Sequence, residues 1–132
     1  MKQLDSLFLV SNDFKIHKNR RIKYADTIRD LLGNRANDSI KREGYYKLAG
    51  RYFNAESYDR YFSVSKELYN LSTEANDTTG MARGLSYIGD YYYSKFRNDS
   101  AYYYYSKAEK IYFKTNNIKD VLWLKLYKAN IL

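Results

Sequence analysis

Ala36-Asn37-Asp38-Ser39 comes back as Ala75-Asn76-Asp77-Thr78, 39 positions on, and in weaker form as Thr115-Asn116-Asn117-Ile118, 40 further on. Similar segments at a spacing of this size mark a repeat array, whose units bury their apolar faces only by stacking on neighbours. Each turn reads as a stop and a start. Asn37 and Asn76 tolerate the left-handed conformation that ends a helix. Asp38 or Ser39, and Asp77 or Thr78, can accept the free N–H groups that open the next one.

Between the turns the apolar residues recur at three and four, the period of a helix with one buried face. Leu7, Val10, Ser11 and Phe14 form one set, Tyr46, Ala49, Gly50 and Phe53 the next, and Leu85, Ile88, Gly89 and Tyr92 the third. Ser11, Gly50 and Gly89 are small and would let a second helix approach. Second stripes follow at Ile22, Ala25, Leu32 and Ala36; at Tyr61, Val64, Leu68, Leu71 and Ala75; and at Ala101, Tyr104, Ala108, Ile111 and Thr115. In the third unit Gly89, Ala101 and Ala108 could face one another at a close crossing. Arg29 falls where Leu68 and Ala108 fall, and Ile28 covers that gap. Polar turns are expected at Lys18–Asn19, Glu56–Ser57 and Arg97–Asn98–Asp99.

The spacing therefore predicts seven helices near 3–16, 20–35, 40–54, 58–74, 79–95, 99–114 and 118–132, and no strand. They group as repeats over 3–38, 39–77 and 78–117 with a partial fourth at 118–132, one domain over 1–132. The Tyr102–Tyr105 run suits a strand by propensity, but the flanking helical period outweighs it.

Composition narrows the chemistry. The 132 residues are 45% hydrophobic and 29% charged, the mix of a folded rather than a disordered chain. No proline interrupts them, as suits helices joined by short turns. Cysteine is absent and His17 is the one histidine, which removes thiolate metal sites and cysteine nucleophiles and leaves His17 without a catalytic partner by sequence. No phosphate-cradling glycine loop is present, and Gly50 and Gly89 have a packing explanation. Asp26 and Asp30 lie one helical turn apart and read as a solvated face. The expectation is a non-enzyme with no cofactor and no metal. No apolar run approaches the roughly 20 residues that span a bilayer. Asp5 interrupts any apolar leader, so the chain as written is expected to be cytoplasmic.

These residues resemble the tetratricopeptide repeat family. Its first helix carries residue types at the spacing of Leu85, Ile88, Gly89 and Tyr92, and its second those of Ala101, Tyr105 and Ala108. The resemblance covers nearly the whole chain and is strongest in the third repeat. The units here are longer than the usual period of about 34, and the closing proline is missing. The long period and Tyr-rich second helices are similar to the repeat segments of bacterial transcriptional regulators and sensor kinases. The resemblance implies an all-α, right-handed solenoid of antiparallel helix pairs: about three repeats and one extra C-terminal helix. A HEAT-type solenoid, with a period of about 40–47, is the alternative.

What the resemblance implies for function is a scaffold that binds a protein or peptide on the face lined by the first helices. By the family's register that face shows Phe8 and Asn12, then Lys47, Arg51 and Asn54, then Arg83, Tyr87, Asp90 and Tyr93. Lys47, Arg51 and Arg83 would suit an acidic segment or a terminal carboxylate; solvated helix charges are the alternative. The family's carboxylate clamp is not expected, because Leu48 and Arg51 stand where its pattern wants other residues.

The net charge of +8 opens a second reading, a basic nucleic-acid-binding helical domain. Residues 1–66 carry 14 basic and 8 acidic side chains, and Lys15, His17, Lys18, Arg20, Arg21 and Lys23 are the densest run. No recognition helix, zinc finger or RNP-like motif accompanies it, so direct nucleic-acid binding is disfavoured. Four consecutive tyrosines, Tyr102 to Tyr105, sweep around a helix and cannot all be buried. The last helix is apolar nearly all round. A solenoid needs a polar outer face on its last element, so Trp123, Leu126, Tyr127 and Leu132 are candidates for self-association or for contact with a further part of a larger protein.

Overall fold

The computed structural model describes residues 2–131, and side chains from residue 3 onward. Seven helices follow in order: α1 (Lys2–Ser11), α2 (Lys18–Gly33), α3 (Ser39–Asn54), α4 (Tyr58–Glu74), α5 (Thr78–Ser94), α6 (Asn98–Lys114) and α7 (Ile118–Ile131). Among the described residues there is no strand, and the Tyr102–Tyr105 run lies within α6. Among the described residues no helix is long and apolar enough to cross a membrane.

The last four turns are copies of one device. Each is three residues long, and its middle residue, Glu56, Asn76, Phe96 or Asn116, has φ of 60°, 54°, 59° or 59°. The residue after it donates its N–H to the carbonyl five back: Ser57 to Tyr52, Asp77 to Ser72, Arg97 to Tyr92 and Asn117 to Tyr112, all at 2.8–2.9 Å. The middle residue itself donates to Phe53, Thr73, Tyr93 or Phe113. This pairing satisfies carbonyls left open at the helix end. The turns fall every 20 residues, one helix and one turn, so the array repeats every 40 residues from Tyr52 onward.

Both A-N-D turns start helices as expected, but only one stops a helix as expected. Asp38 Oδ1 accepts the Lys41 N–H at 2.8 Å to cap α3, and Asp77 Oδ1 accepts the Gly80 N–H at 3.0 Å to cap α5. Asn76 takes the left-handed conformation and Asn37 does not. The link from α2 to α3 is longer, residues 34–38. There α2 ends through Asn34 in the right-handed region, at φ −84°. Ala36, Ala75 and Thr115, expected as stripe ends, lie beyond their helices and are exposed.

Three local expectations are corrected. First, α1 stops at Ser11 rather than near residue 16. Asp13 Oδ1 accepts the Lys15 N–H at 3.0 Å, and its carbonyl accepts the Ile16 N–H at 3.0 Å. Such Asp-centred turns compete with helix. Lys18 and Asn19 are thus the opening of α2, not a turn, and Phe14 lies exposed in the link. Second, the turn between α5 and α6 is Lys95–Phe96–Arg97, two residues before the expected Arg97–Asn98–Asp99. Its N-cap, Arg97, makes no side-chain cap bond, which left no sequence mark for it. Third, the buried stripe of α3 is Tyr45, Leu48, Ala49 and Tyr52, with Gly44. That is one position before the expected set: Gly50 is half-buried and Phe53 exposed. The 40-residue period explains it, since these positions match Leu85, Ile88, Gly89 and Tyr92.

Contacts gather into two compact units that part between Val64 and Ser65, inside α4. In the first, α2 and α3 run antiparallel: Lys41 reaches Gly33, Gly44 abuts Leu32, and Tyr52 meets Asp26. By contrast α1 and α3 run parallel, with Phe8 against Lys47 and Arg51, and Asn12 against Asn54. Ile28 is fully buried in the gap beside Arg29, whose guanidinium donates to Ser63 Oγ at 2.9 Å.

In the second unit α5 and α6 are antiparallel neighbours. A core of Ala82, Leu85, Ala101, Tyr105, Ala108, Tyr112, Val121 and Leu124 joins them to α7. Burial of each large apolar side chain stabilises by roughly 1.5–3 kcal/mol. The glycine of this unit is met by a large residue: the Tyr105 ring lies so close that a β-carbon on Gly89 would be 2.7 Å from it. Tyr92 stacks on Tyr104, with centroids 5.5 Å apart and planes 8° apart.

Candidate binding surfaces

On α3, Lys47, Arg51 and Asn54 lie three and four apart, and the parallel run of α1 brings Phe8 and Asn12 to them. Arg51 Nε donates to the Phe8 carbonyl at 3.3 Å, and its guanidinium carbon sits 5.7 Å from the Phe8 ring centre. Lys47 Nζ is 6.0 Å from the same ring. Asn54 Nδ2 donates to Asn12 Oδ1 at 3.4 Å. Five residues expected on one face are therefore together on it. Lys47 and Asn54 are exposed, and Arg51 is half-buried.

In the second unit, Arg83, Tyr87 and Asp90 are half-buried on α5 and Tyr93 is exposed. Asp90 has a packing task beyond the expected one, since Oδ1 accepts the Tyr105 hydroxyl at 2.5 Å. Burial, together with the Asp90 charge, pushes the Tyr105 hydroxyl above the ordinary tyrosine range. Tyr52 repeats the arrangement in the first unit, donating to Asp26 at 2.5 Å, and burial raises its pKa as well. Asp26, half of the Asp26–Asp30 pair, is also bound by Arg60 Nε at 3.1 Å. Among the described residues no group of three His, Asp or Glu side chains gathers to hold a metal.

Beside the α1–α3 face lies a cleft of ≈ 430 Å³ that the sequence did not reveal. Leu4, Asp5 and Phe8 of α1 form one wall, and Ile40, Gly44 and Lys47 of α3 another, with Leu32 of α2, Ser39 and Glu43 completing it. A signal was present in Ile40, Gly44 and Lys47, a helical stripe broken by a glycine. Its meaning depended on three separate helices converging there.

Half of the basic run makes contacts within the fold. His17 Nδ1 accepts the Asn19 N–H at 3.1 Å to cap α2. Arg21 is buried, donates Nε to the Ile16 carbonyl at 3.1 Å and lies over the Phe14 ring at 4.8 Å. Lys18 pairs with Glu56 at 3.7 Å. Lys15, Arg20 and Lys23 remain exposed.

On α7, Val121 and Leu124 face the core. Lys128 and Lys125 close on Glu109 of α6 at 3.0 and 3.2 Å. Burial alone would raise the Glu109 pKa, but the two lysines outweigh it and hold it below the usual carboxylate range. On the other sides of α7, Ile118, Leu122, Trp123, Leu126 and Tyr127 are 41–60% exposed, interspersed with the exposed Lys119 and Asn130. Trp123 and Tyr127 sit 6.1 Å apart by ring centres. Leu132, expected with them, lies outside the described residues. On α6, Tyr102 and Tyr103 are exposed under Lys128 and Lys107, while Tyr105 is buried. The chain has no significant match among protein-family models, curated proteins or solved structures.

Proposed function

We propose that this chain is a non-catalytic, tetratricopeptide-like scaffold that binds a protein or peptide, as the interaction or sensory part of a larger bacterial regulatory protein. One observation carries the reading. Phe8, Asn12, Lys47, Arg51 and Asn54, named from the family resemblance, share the α1–α3 face and place an ammonium, a guanidinium and an amide beside an aromatic ring. Such donors suit an acidic or carboxylate-bearing segment. The exposed apolar residues of α7 support a second contact, with another copy of the chain. The nucleic-acid alternative loses support because His17, Lys18 and Arg21 are engaged within the fold.

A displayed random-peptide library selected on the folded chain tests the main reading. The expected result is a family of related peptides whose affinity falls at least tenfold in a Lys47→Glu, Asn54→Ala variant. Failure to enrich any related peptides overturns it. Salt-sensitive binding of duplex DNA or RNA by that same chain would favour the basic-domain reading instead.

A further inference from the structure

We infer that the cleft between α1 and α3 takes one apolar side chain of a peptide that carries a basic residue on one side of that anchor and an acidic residue on the other. This rests on the peptide-binding reading and names the kind of peptide.

The lining sets the anchor. At ≈ 430 Å³ the cleft falls within the roughly 300–1,000 Å³ range of ligand sites. Leu4 and Leu32 are buried at its base, Phe8 is half-buried, and Ile40 stands at its mouth. Gly44 lets Leu32 pack close against α3 at that base: a β-carbon there would lie 2.7 Å from a Leu32 methyl. An aliphatic or aromatic side chain would dehydrate this surface, and no charged one would.

The rim sets the flanks. Asp5 and Lys47 both line the cleft and both are exposed. Among the described residues neither has an ion pair, and the contact shown for Lys47 is the Phe8 ring. Because α1 and α3 run parallel with Phe8 against Lys47, Asp5 lies toward the N-terminal ends of the two helices. Lys47 lies about a turn further along. Glu43, exposed and one helical turn before Lys47 on α3, adds a second acid on the Asp5 side, so the rim runs from acid to base past an apolar floor. Two solvated charges contribute little alone. Beside a bound, water-excluding anchor each gains a partner in a less polar setting. Their order also gives the site a direction that a uniformly basic groove lacks.

Fluorescein-labelled, end-capped peptides test this by anisotropy. The probes are Lys-Ser-Leu-Ser-Glu, its reversed order Glu-Ser-Leu-Ser-Lys, a version with Leu replaced by Ser, and one with both charges replaced by Ser. One of the two charged orders should bind at least fivefold more tightly than the other three probes. Asp5→Lys and Lys47→Glu should each lower that affinity at least threefold, and the double variant should prefer the opposite order. Both positions are exposed, so circular dichroism should show an unchanged helix content. Trp123→Ser should have no effect. Binding that ignores peptide charge order, that survives the Asp5 and Lys47 changes, or that is lost with Trp123→Ser overturns the inference. If library-selected peptides bind but none of these probes does, the cleft inference falls and the scaffold reading stands. If neither binds, both fall.

Discussion

The Tyr105 hydroxyl donates to Asp90 at 2.5 Å, and the ring that carries it closes on Gly89, the residue just before that aspartate. A charged acceptor and a missing side chain, adjacent on α5, together fix how α6 lies against it. The loss of a hydrogen bond to a charged group costs about 1.5–3 kcal/mol. Tyr105→Phe keeps the ring and should destabilise by about that much in urea unfolding.

The same hydroxyl sets an alkaline limit. In the folded chain the Tyr105 and Tyr52 hydroxyls titrate above the unfolded value of about 10. A raised folded pKa means the folded state holds its proton longer. The stability is fully present below pH of about 10 and is lost as pH rises beyond it. Urea midpoints measured from pH 8 to 11 should fall at the alkaline end. They should fall less steeply in the Tyr52→Phe, Tyr105→Phe double variant.

Gly89→Ala tests the close approach from the other side. The new methyl would meet the Tyr105 ring at 2.7 Å, and a ring locked in the core cannot swing away cheaply. Overpacking of this kind costs about 1–3 kcal/mol. Pairing it with Tyr105→Leu should recover part of the loss, and a purely additive double variant would contradict the contact.

Phe96 holds a left-handed backbone, φ 59°, at the tip of its turn with its ring almost wholly in solvent. For a side chain with a β-carbon that conformation costs roughly 1–2 kcal/mol, and Asn tolerates it better. Phe96→Asn should therefore raise stability by about 0.5–1 kcal/mol. Asn76→Ala, at the same place one helix earlier, should lower it. Thermal midpoints of the two variants should move in opposite directions.

At acid pH the contact of α7 with α6 should weaken first. The folded pKa of Glu109 is lowered, so its contribution is present above the ordinary carboxylate range and is lost as pH falls through the folded value. Hydrogen exchange in α7 should accelerate as pH falls toward 3, after correction for intrinsic rates. Glu109→Gln should show that faster exchange already at neutral pH.

The exposed apolar residues of α7 make a separate prediction. Sedimentation velocity should show mass rising with concentration, and Trp123→Ser with Leu126→Ser should abolish the rise without loss of helix. A monomer at every concentration would remove self-association from the proposed function.

Sequence by itself determined the helices and most of their order. The reason is local: a 3.6-residue period and capping side chains act within a few residues. Asp38 and Asp77 therefore announce α3 and α5, and Leu85, Ile88 and Gly89 announce a buried face. Where a turn is made by backbone bonds alone, as at Lys95–Phe96–Arg97, no residue marks it. The turn residues are therefore expected two positions late, at Arg97–Asn98–Asp99, and the helix ends one position late. On α3 two stripes one residue apart, Tyr45–Tyr52 and Tyr46–Phe53, both have a helical period, and the 39-residue spacing of the A-N-D turns points to the second while the 40-residue period of the folded array buries the first. Tertiary structure likewise decided the roles of single side chains. Register could put Asp90 on a face, but not show that it binds Tyr105. Composition could count the basic run, but not show Arg21 folded back on Phe14 and Ile16. The cleft at Leu4, Asp5, Gly44 and Lys47 exists only because three helices separated in sequence converge, and periodicity along one helix carries no record of its neighbours.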